Sequence, residues 1–300
     1  MLSKLIVIIG PTASGKSALA IKISQKFSGE IVSADSRQIY RGMNIGTAKP
    51  TKEEMTTVPH HLINIKNPDE NYTASEYKRD ALKAIKTVIK KGFLPILVGG
   101  TGFYVKVIID NLKIPNIKPD FKLRHKLEKE IEKYGLDFVF KKLIKIDPEA
   151  AYIVDQNNPR RVIRALEIAL KTKKPFSAQR KAGKSLFDFL EIGISMPIKE
   201  QNNRIKKRVN LMIKNGLIEE VKNLVKKYGA NHQSLDAIGY REIIEYLNKK
   251  ISLKTATDLI KNKTRRYAKR QMTWFRKDKR INWIKNEKEI EKLIKKFLSA

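Results

Sequence analysis

The chain is 300 residues long and carries 63 Lys and Arg against 31 Asp and Glu, which gives a formal net charge of +32. It contains no cysteine, so disulfides, Cys-ligated zinc and thiol nucleophiles are excluded. No apolar stretch approaches the ~20 residues that span a bilayer, and the leading apolar run is too short for a secretory signal. We therefore expect a cytoplasmic protein that binds no membrane. The charge leaves a polyanionic partner and a solvated, lysine-rich surface as alternatives.

The first part of the chain alternates between predicted strands and predicted helices. Short apolar runs at residues 4–9, 30–34 and 94–98 predict strands, because they are β-branched and bounded by Gly or Asp. Apolar residues at helical spacing predict helices at residues 17–27 and 74–90. Continuously apolar strands belong inside a parallel sheet. The alternation therefore predicts an α/β fold with a parallel sheet flanked by helices.

A helical insertion is predicted where the character of the sequence changes, after Pro115. Charged stretches at residues 121–145 and 159–171 are helical in spacing, and a basic, turn-rich linker follows them. A strand predicted at residues 187–196 is expected to return the chain to the sheet. The predicted organisation is a small, all-helical insertion within an α/β core that ends in helices, at residues 116–185 within 1–115 and 186–300.

A glycine-rich loop stands between the first predicted strand and the first predicted helix. Its sequence, GPTASGKS, matches the pattern G-x-x-x-x-G-K-[ST], in which backbone N–H groups and the helix N-terminus converge on phosphate oxygens. The lysine neutralises phosphate charge, and the hydroxyl that follows it can hold Mg²⁺. The alternative is an ordinary glycine turn with an exposed lysine. The predicted phosphate-binding residues are Gly10, Pro11, Thr12, Ala13, Ser14, Gly15, Lys16 and Ser17.

The ends of the next two predicted strands carry residues that would meet this loop. A nucleoside triphosphatase usually ends a second strand in a metal-binding Asp, but residues 94–98 run into a Gly-Gly-Thr-Gly turn that contains Thr101. Residues 30–34 are instead followed by Asp35. Because the carboxyl ends of adjacent parallel strands share a crevice, we expect Asp35 and Thr101 to face the ligand of the loop. Asp35 is a candidate metal ligand or general base, and its alternative role is a turn or helix cap.

Two basic segments favour nucleic acid as the partner. Arg160, Arg161 and Arg164 fall on one predicted helix, beside its apolar stripe. Residues 264–276, TRRYAKRQMTWFR, interleave cations with aromatic rings, a combination that suits phosphate contact and base stacking. Each segment alone is equally typical of a solvated helix face. Together, on a chain of this charge, they indicate RNA or DNA binding.

Seven segments in chain order closely resemble the tRNA dimethylallyltransferases, and they extend over nearly the whole chain. The phosphate loop alone would not separate this family from small-molecule kinases, whereas the ordered set does. The segments are GPTASGKS at 10–17, ADSRQIY at 34–40, MNIGTAKP at 43–50, HHLINI at 60–65, PILVGGTGFY at 95–104, RRVIRALEI at 160–168 and TRRYAKRQMTWFR at 264–276.

The resemblance implies a prenyl transfer, in which dimethylallyl diphosphate donates its prenyl group to N6 of the adenosine on the 3′ side of a tRNA anticodon and pyrophosphate leaves. It implies that Asp35 takes the proton from N6, while Thr101, Lys16 and Arg208 stabilise the departing diphosphate. The loop would bind that diphosphate, and Ser17 would hold Mg²⁺, the expected cofactor.

The resemblance also implies the partners. These are dimethylallyl diphosphate and a tRNA anticodon stem-loop, and nothing in the sequence requires more than a monomer. The sequence departs from the family pattern at Asn64, where Asp is expected, and at residues 197–203. The alternatives are a small-molecule kinase that would use ATP and a non-catalytic, RNA-binding NTPase. The implied tRNA-binding residues are Asp35, Ser36, Arg37, Gln38, Thr101, Arg124, Arg160, Arg161 and Arg164.

Overall fold

The structure is a computed structural model that describes residues 2–115, 117–284 and 286–300. Residue 116, where the predicted insertion begins, lies outside the described residues. The chain divides into two compact units, and the larger is assembled from both ends of the chain. The larger unit comprises Met1–Ile109 and Leu186–Ala300, and the smaller comprises Asp110–Ser185.

A parallel sheet is the centre of the larger unit. The strands of the described residues are β1 (Ser3–Ile9), β2 (Gly29–Ser33), β3 (His60–His61), β4 (Leu94–Gly99), β5 (Phe187–Ile194) and β6 (Asn282–Ile284). Their order in the sheet is β3-β2-β4-β1-β5-β6, and every neighbouring pair is parallel. The predicted parallel α/β fold is therefore confirmed, and the chain returns from the smaller unit directly into β5. Sequence patterns did not reveal β3 and β6, which are too short to show a periodicity.

Helices in the first half of the larger unit begin at clear sequence signals. The hydroxyl of Thr73 caps helix α3 (Ala74–Lys90) by accepting from the Glu76 N–H, and the Glu76 carboxylate accepts from the Thr73 N–H, which completes a capping box. The bounds of α3 are those that the sequence predicts. These helices are α1 (Lys16–Lys26), α2 (Lys52–Thr57), α3 (Ala74–Lys90) and α4 (Gly102–Ile109).

The smaller unit is helical and has its own apolar core, which includes Leu127, Leu143 and Leu166. The predicted helical stretch at residues 121–145 is two helices, because Gly135 with φ of 83° ends the first of them. A short 3₁₀-helix, Ser177–Arg180, follows the α-helices. These are α5 (Phe121–Tyr134), α6 (Leu136–Ile146), α7 (Ala150–Ile153) and α8 (Pro159–Thr172).

The two ends of the smaller unit are hydrogen-bonded to each other. The Gly183 N–H donates to the Asp110 carbonyl at 3.0 Å, and the Lys113 N–H donates to the Lys181 carbonyl at 3.2 Å. Asp110 therefore belongs to the helical unit, which begins six residues before the boundary at residue 116 that the sequence predicts. The segments at residues 110–113 and 181–183, which have no regular pattern in the sequence, are thus paired through backbone hydrogen bonds.

The remaining helices complete the larger unit. Residues from α1, the sheet and the C-terminal helix share one core, in which Ile8, Ile23 and Ile294 are buried. A second core joins Met43 and Tyr40 to the helices that follow β5. No helix in the described part of the chain is both long and apolar enough to cross a membrane. The last helices are α9 (Ile198–Lys214), α10 (Leu217–Tyr228), α11 (Tyr240–Leu247), α12 (Leu253–Phe275) and α13 (Glu287–Ser299).

Candidate active site

The candidate site lies at the carboxyl ends of three adjacent strands, β2, β4 and β1. The register pairs Ser33 with Val98 and Val98 with Ile8, so the segments that follow these strands leave the sheet at the same level. They are the turn at residues 35–38 (the Asp35 turn), the turn at residues 100–102 (the Thr101 turn) and the glycine-rich loop at residues 10–17. Ligands of open α/β sheets bind at this edge.

The glycine-rich loop has the geometry of a phosphate cradle. Gly15 has φ of 91°, which favours glycine, and a Cβ on Gly10 would lie 2.9 Å from Ser14 Oγ. The loop ends at the N-terminus of α1, which has no side-chain cap and no acidic residue in its first turn. Ser14 Oγ is buried and finds no hydrogen-bond partner among the described residues. An unsatisfied hydroxyl and uncapped N–H groups suit an anionic ligand.

Lys16 places a partly buried cation in this cradle. Its Nζ donates to the Pro11 carbonyl at 3.4 Å. Burial lowers the pKa of Lys16 from 10.5 to about 8; Asp35 raises it and Arg208 lowers it further. The three charged groups are thus close enough to influence one another. A bound diphosphate would relieve the cost of keeping Lys16 charged.

Arg208 brings a second cation to the loop from α9. Its Nη1 donates to Thr12 Oγ1 at 3.3 Å, and burial lowers the pKa of its guanidinium. Gln201, two turns earlier on α9, donates to the Thr12 carbonyl at 3.1 Å. Helix α9 begins at Ile198, directly after Pro197, and continues without a break to Lys214, so most of the segment where the sequence departs from the family pattern lies on the same helix as Arg208.

Asp35 is held by the turn that follows β2. Its Oδ1 accepts from the Arg37 N–H at 2.8 Å and from the Gln38 N–H at 3.3 Å. Its Oδ2 has no hydrogen-bond partner among the described residues. The carboxylate is therefore fixed in orientation through one oxygen while the other remains available, which the geometry of a general base requires.

A cavity of about 280 Å³ joins these groups, and its lining includes Ser17, Lys16, Asp35, Gln38 and Arg208. Another part of the lining is largely apolar and comes from the sheet and its neighbours, with Ala20, Ile31, Val98, Pro50 and His60. Burial lowers the pKa of His60, so this ring is neutral at physiological pH. The cavity thus offers cations for an anion and apolar surface for a hydrocarbon group.

Thr101 is outside the lining of the cavity and contacts the Asp35 turn instead. Its Oγ1 accepts from the Ser36 N–H at 3.1 Å. Its backbone N–H donates to the Ala34 carbonyl at 3.2 Å. A Cβ on Gly99 would overlap the Ala34 backbone, which explains why glycine ends β4 at this point. Thr101 therefore fixes the segment that carries Asp35.

The outer face of α12 forms an open, basic groove of about 380 Å³ in the larger unit. Trp274 is 39% exposed there, and Arg266, Lys269 and Arg270 surround it. Arg270 also lies over the ring of Tyr267, with its guanidinium 5.8 Å from the ring centroid. Trp274 thus shares one surface with three cations of the predicted basic segment, whereas Phe275 of the same segment is buried.

The four predicted arginines of the helical unit differ in their surroundings. Arg124 and Arg164 both hydrogen-bond to the buried carboxylate of Glu167, which Arg124 reaches at 2.9 and 3.0 Å. Arg160 and Arg161 are exposed on α8. In the larger unit, Arg37 donates to the carbonyls of residues 233 and 234. A role in RNA binding for these residues stays a prediction.

Sequence reasoning did not single out Gln201, Gln271 or Lys49, which the structure places beside the site. Lys49 Nζ donates to the Tyr40 carbonyl and to Asn64 Oδ1, both at 2.6 Å, and burial lowers its pKa to about 8. For Gln271 a signal existed, since it interrupts a buried apolar stripe on α12. For the other two residues no local pattern was available.

The fold and the site define an α/β protein in which a glycine-rich loop, two partly buried cations and one carboxylate meet at the ends of parallel strands. The family model described as IPP transferase matches residues 38–278. The tRNA dimethylallyltransferase of Acetivibrio thermocellus is 45% identical over 300 residues, with 98% of this chain and 96% of that protein covered. The chain therefore belongs to the IPP transferase family.

Solved structures give the same result. The full-length tRNA isopentenylpyrophosphate transferase from Bacillus halodurans has a TM-score of 0.75 at 41% identity, with 99% of this chain and 97% of that chain covered. A eukaryotic dimethylallyltransferase acting on tRNA also has a TM-score of 0.75, at 32% identity, with 91% of this chain and 69% of that chain covered.

Proposed function

We propose that the protein transfers the dimethylallyl group of dimethylallyl diphosphate to N6 of the adenosine on the 3′ side of a tRNA anticodon. The observation that carries the proposal is the single cavity in which Lys16, Asp35 and Arg208 lie beside the glycine-rich loop. Two cations suit a diphosphate, and a carboxylate with a free oxygen suits removal of a proton. The relatives, named for dimethylallyl or isopentenyl transfer to tRNA, support this reaction.

In the proposed reaction, N6 of the adenosine bonds to C1 of the dimethylallyl group while the bond from C1 to the diphosphate oxygen breaks. The diphosphate leaves with the electron pair of that bond, and N6 loses one proton. Asp35 would accept this proton on Oδ2. Lys16 and Arg208 would stabilise the negative charge that grows on the leaving oxygen. Thr101 would act by holding the segment that carries Asp35.

Mg²⁺ is the proposed cofactor, and the residues present fit it. Ser17 lines the cavity at the first turn of α1, and the buried Ser14 hydroxyl has no partner among the described residues. Mg²⁺ prefers oxygen ligands and is commonly held by few protein groups together with substrate phosphates. Ser17 would be the protein ligand. When bound, the ion would add positive charge against the diphosphate.

The proposed tRNA contacts are of two kinds. In the larger unit they are the turn at residues 35–38 and the basic outer face of α12, and in the smaller unit they are Arg160 and Arg161 on α8. The net charge of +32 supports a polyanionic partner. The donor cavity is built from one chain, which is compatible with a monomeric enzyme. A tRNA acceptor also supports a cytoplasmic location.

The test is incubation of the purified protein with Mg²⁺, tRNA and labelled dimethylallyl diphosphate. We expect label in the RNA for the native protein and a loss of at least 100-fold in rate for Asp35→Asn, since general base catalysis contributes roughly 10²–10⁴-fold. The matched control is Asp188→Asn, at the opposite end of the sheet, where Asp188 pairs with Lys4. Transfer of the γ-phosphate of ATP to a small molecule, without label in RNA, would support a kinase instead.

A further inference from the structure

One face of α12 contacts the Thr101 turn residue by residue. The Tyr267 side chain lies beside that of Thr101. Gln271, four residues later, donates from Nε2 to the Gly100 carbonyl at 2.8 Å. Trp274 covers Gly102, where a Cβ would overlap the indole ring. The glycines at positions 100 and 102 are thus explained by the close approach of this helix.

Gln271 also holds the glycine-rich loop. Its Oε1 accepts from the Thr12 N–H at 2.8 Å, while its Nε2 bonds to Gly100. The side chain is only 6% exposed, and a Cβ on Gly100 would overlap its amide nitrogen. One buried amide therefore satisfies a donor on the loop and an acceptor on the Thr101 turn. Both backbone groups would be left unpaired without it.

We propose that Gln271 is a positioning residue that holds the phosphate-binding loop and the Thr101 turn in one fixed geometry. Thr12 connects onward to Arg208, and Thr101 connects onward to the Asp35 turn. Gln271 therefore sets the distance between the groups that would bind the leaving diphosphate and the carboxylate that would take the proton. A displacement of about 1 Å between such groups can cost about 100-fold in rate. This inference rests on the proposed function.

A matched pair of variants separates this role from simple support of the loop. Gln201→Met removes one hydrogen bond to Thr12 and leaves the Thr101 turn untouched. Gln271→Met removes the bonds to both segments. We expect both variants to weaken the binding of inorganic pyrophosphate about 10-fold by titration calorimetry. At saturating tRNA and donor, we expect kcat to fall about 100-fold for Gln271→Met and less than 5-fold for Gln201→Met.

Gln271→Glu keeps the shape of the side chain and the acceptor for Thr12, and replaces the donor toward Gly100 with an acceptor. Its kcat should fall at least 100-fold, because an ionised carboxylate repels the Gly100 carbonyl that Gln271 binds in the native protein. A kcat within 3-fold of the native value in either Gln271 variant, or an equal loss of kcat in the Gln201 variant, overturns the proposal. If the native protein transfers no prenyl group, the proposed function fails. An unchanged affinity of Gln271→Met for pyrophosphate contradicts the role of Gln271, whether or not the protein transfers a prenyl group.

Discussion

The partly buried charge of Lys16 destabilises the ligand-free protein, and Lys16→Met measures the size of that effect. The pKa of Lys16 is lowered from 10.5 to about 8. At about 1.4 kcal/mol for each tenfold change in proton affinity, this amounts to ~3 kcal/mol against the charged form. Methionine keeps an unbranched stem and removes the charge. The ligand-free variant should therefore be more stable at pH 7, by up to ~3 kcal/mol.

The pH dependence follows from the direction of the shift. Below about pH 8, Lys16 is charged in both the native and the unfolded chain, so the full cost is present. Between about 8 and 10.5 the native protein loses the proton first, and the cost is relieved. The stability advantage of Lys16→Met should thus be largest at pH 7 and should shrink toward pH 10.

The assay is thermal unfolding at pH 7 and pH 10, with and without pyrophosphate. A gain of about 2 °C for each kcal/mol is expected for Lys16→Met at pH 7, together with loss of the stabilisation by pyrophosphate. The control is Lys22→Met on the same helix, where Lys22 is 61% exposed and pairs with Glu287. If Lys16→Met is no more stable than this control at pH 7, or if its advantage is the same at both pH values, the reasoning is refuted.

Three further predictions concern charges elsewhere in the protein. Asn64→Asp would give Lys49 an anionic partner and raise the pKa of Lys49 from about 8. The free energy of unfolding at pH 7, measured with urea, should therefore rise by about 1 kcal/mol. An unchanged free energy of unfolding would show that Lys49 is already solvated. Burial raises the pKa of Glu167, but hydrogen bonds from Arg124, Asp120 and Arg164 lower it on balance. Glu167→Gln should therefore cost about 2 kcal/mol at pH 7, and this cost should diminish as the pH falls from 4.5 through the lowered pKa. A cost that does not change with pH contradicts a role for the charge. Affinity for tRNA should fall with salt at a log–log slope of about −0.7 to −0.9 for each phosphate neutralised, measured by filter binding, and a flat dependence would remove the basic surfaces from the RNA site.

The sequence was sufficient for the parts of the fold that local patterns encode. Helix α3 has the bounds that its regular apolar spacing predicts, and in the structure a capping box at Thr73 fixes its N-terminal end. The predicted helical stretch at residues 121–145 was wrong as one element, because the break depends on a positive φ at Gly135. The strand β3 has only His60 and His61 and depends on its neighbour β2 for its conformation.

For the site, sequence reasoning found groups that lie next to strand ends and missed groups that arrive from distant helices. Asp35 follows β2, so parallel topology alone was enough to place it near the loop. Gln271 lies 259 residues from Thr12 along the chain, and only the packing of α12 brings them together. Thr101 was expected to face the ligand, but the lining of the cavity does not include it, because its hydroxyl is used to fix the Asp35 turn.

The pairing between the first and last segments of the helical unit bears on how freely this unit can vary in sequence and length. Because the Gly183 N–H donates to the Asp110 carbonyl, the first and last segments of the unit run side by side. With an interior of its own, the unit is the kind of insert that lineages can lengthen, trim or exchange while the strand order stays intact.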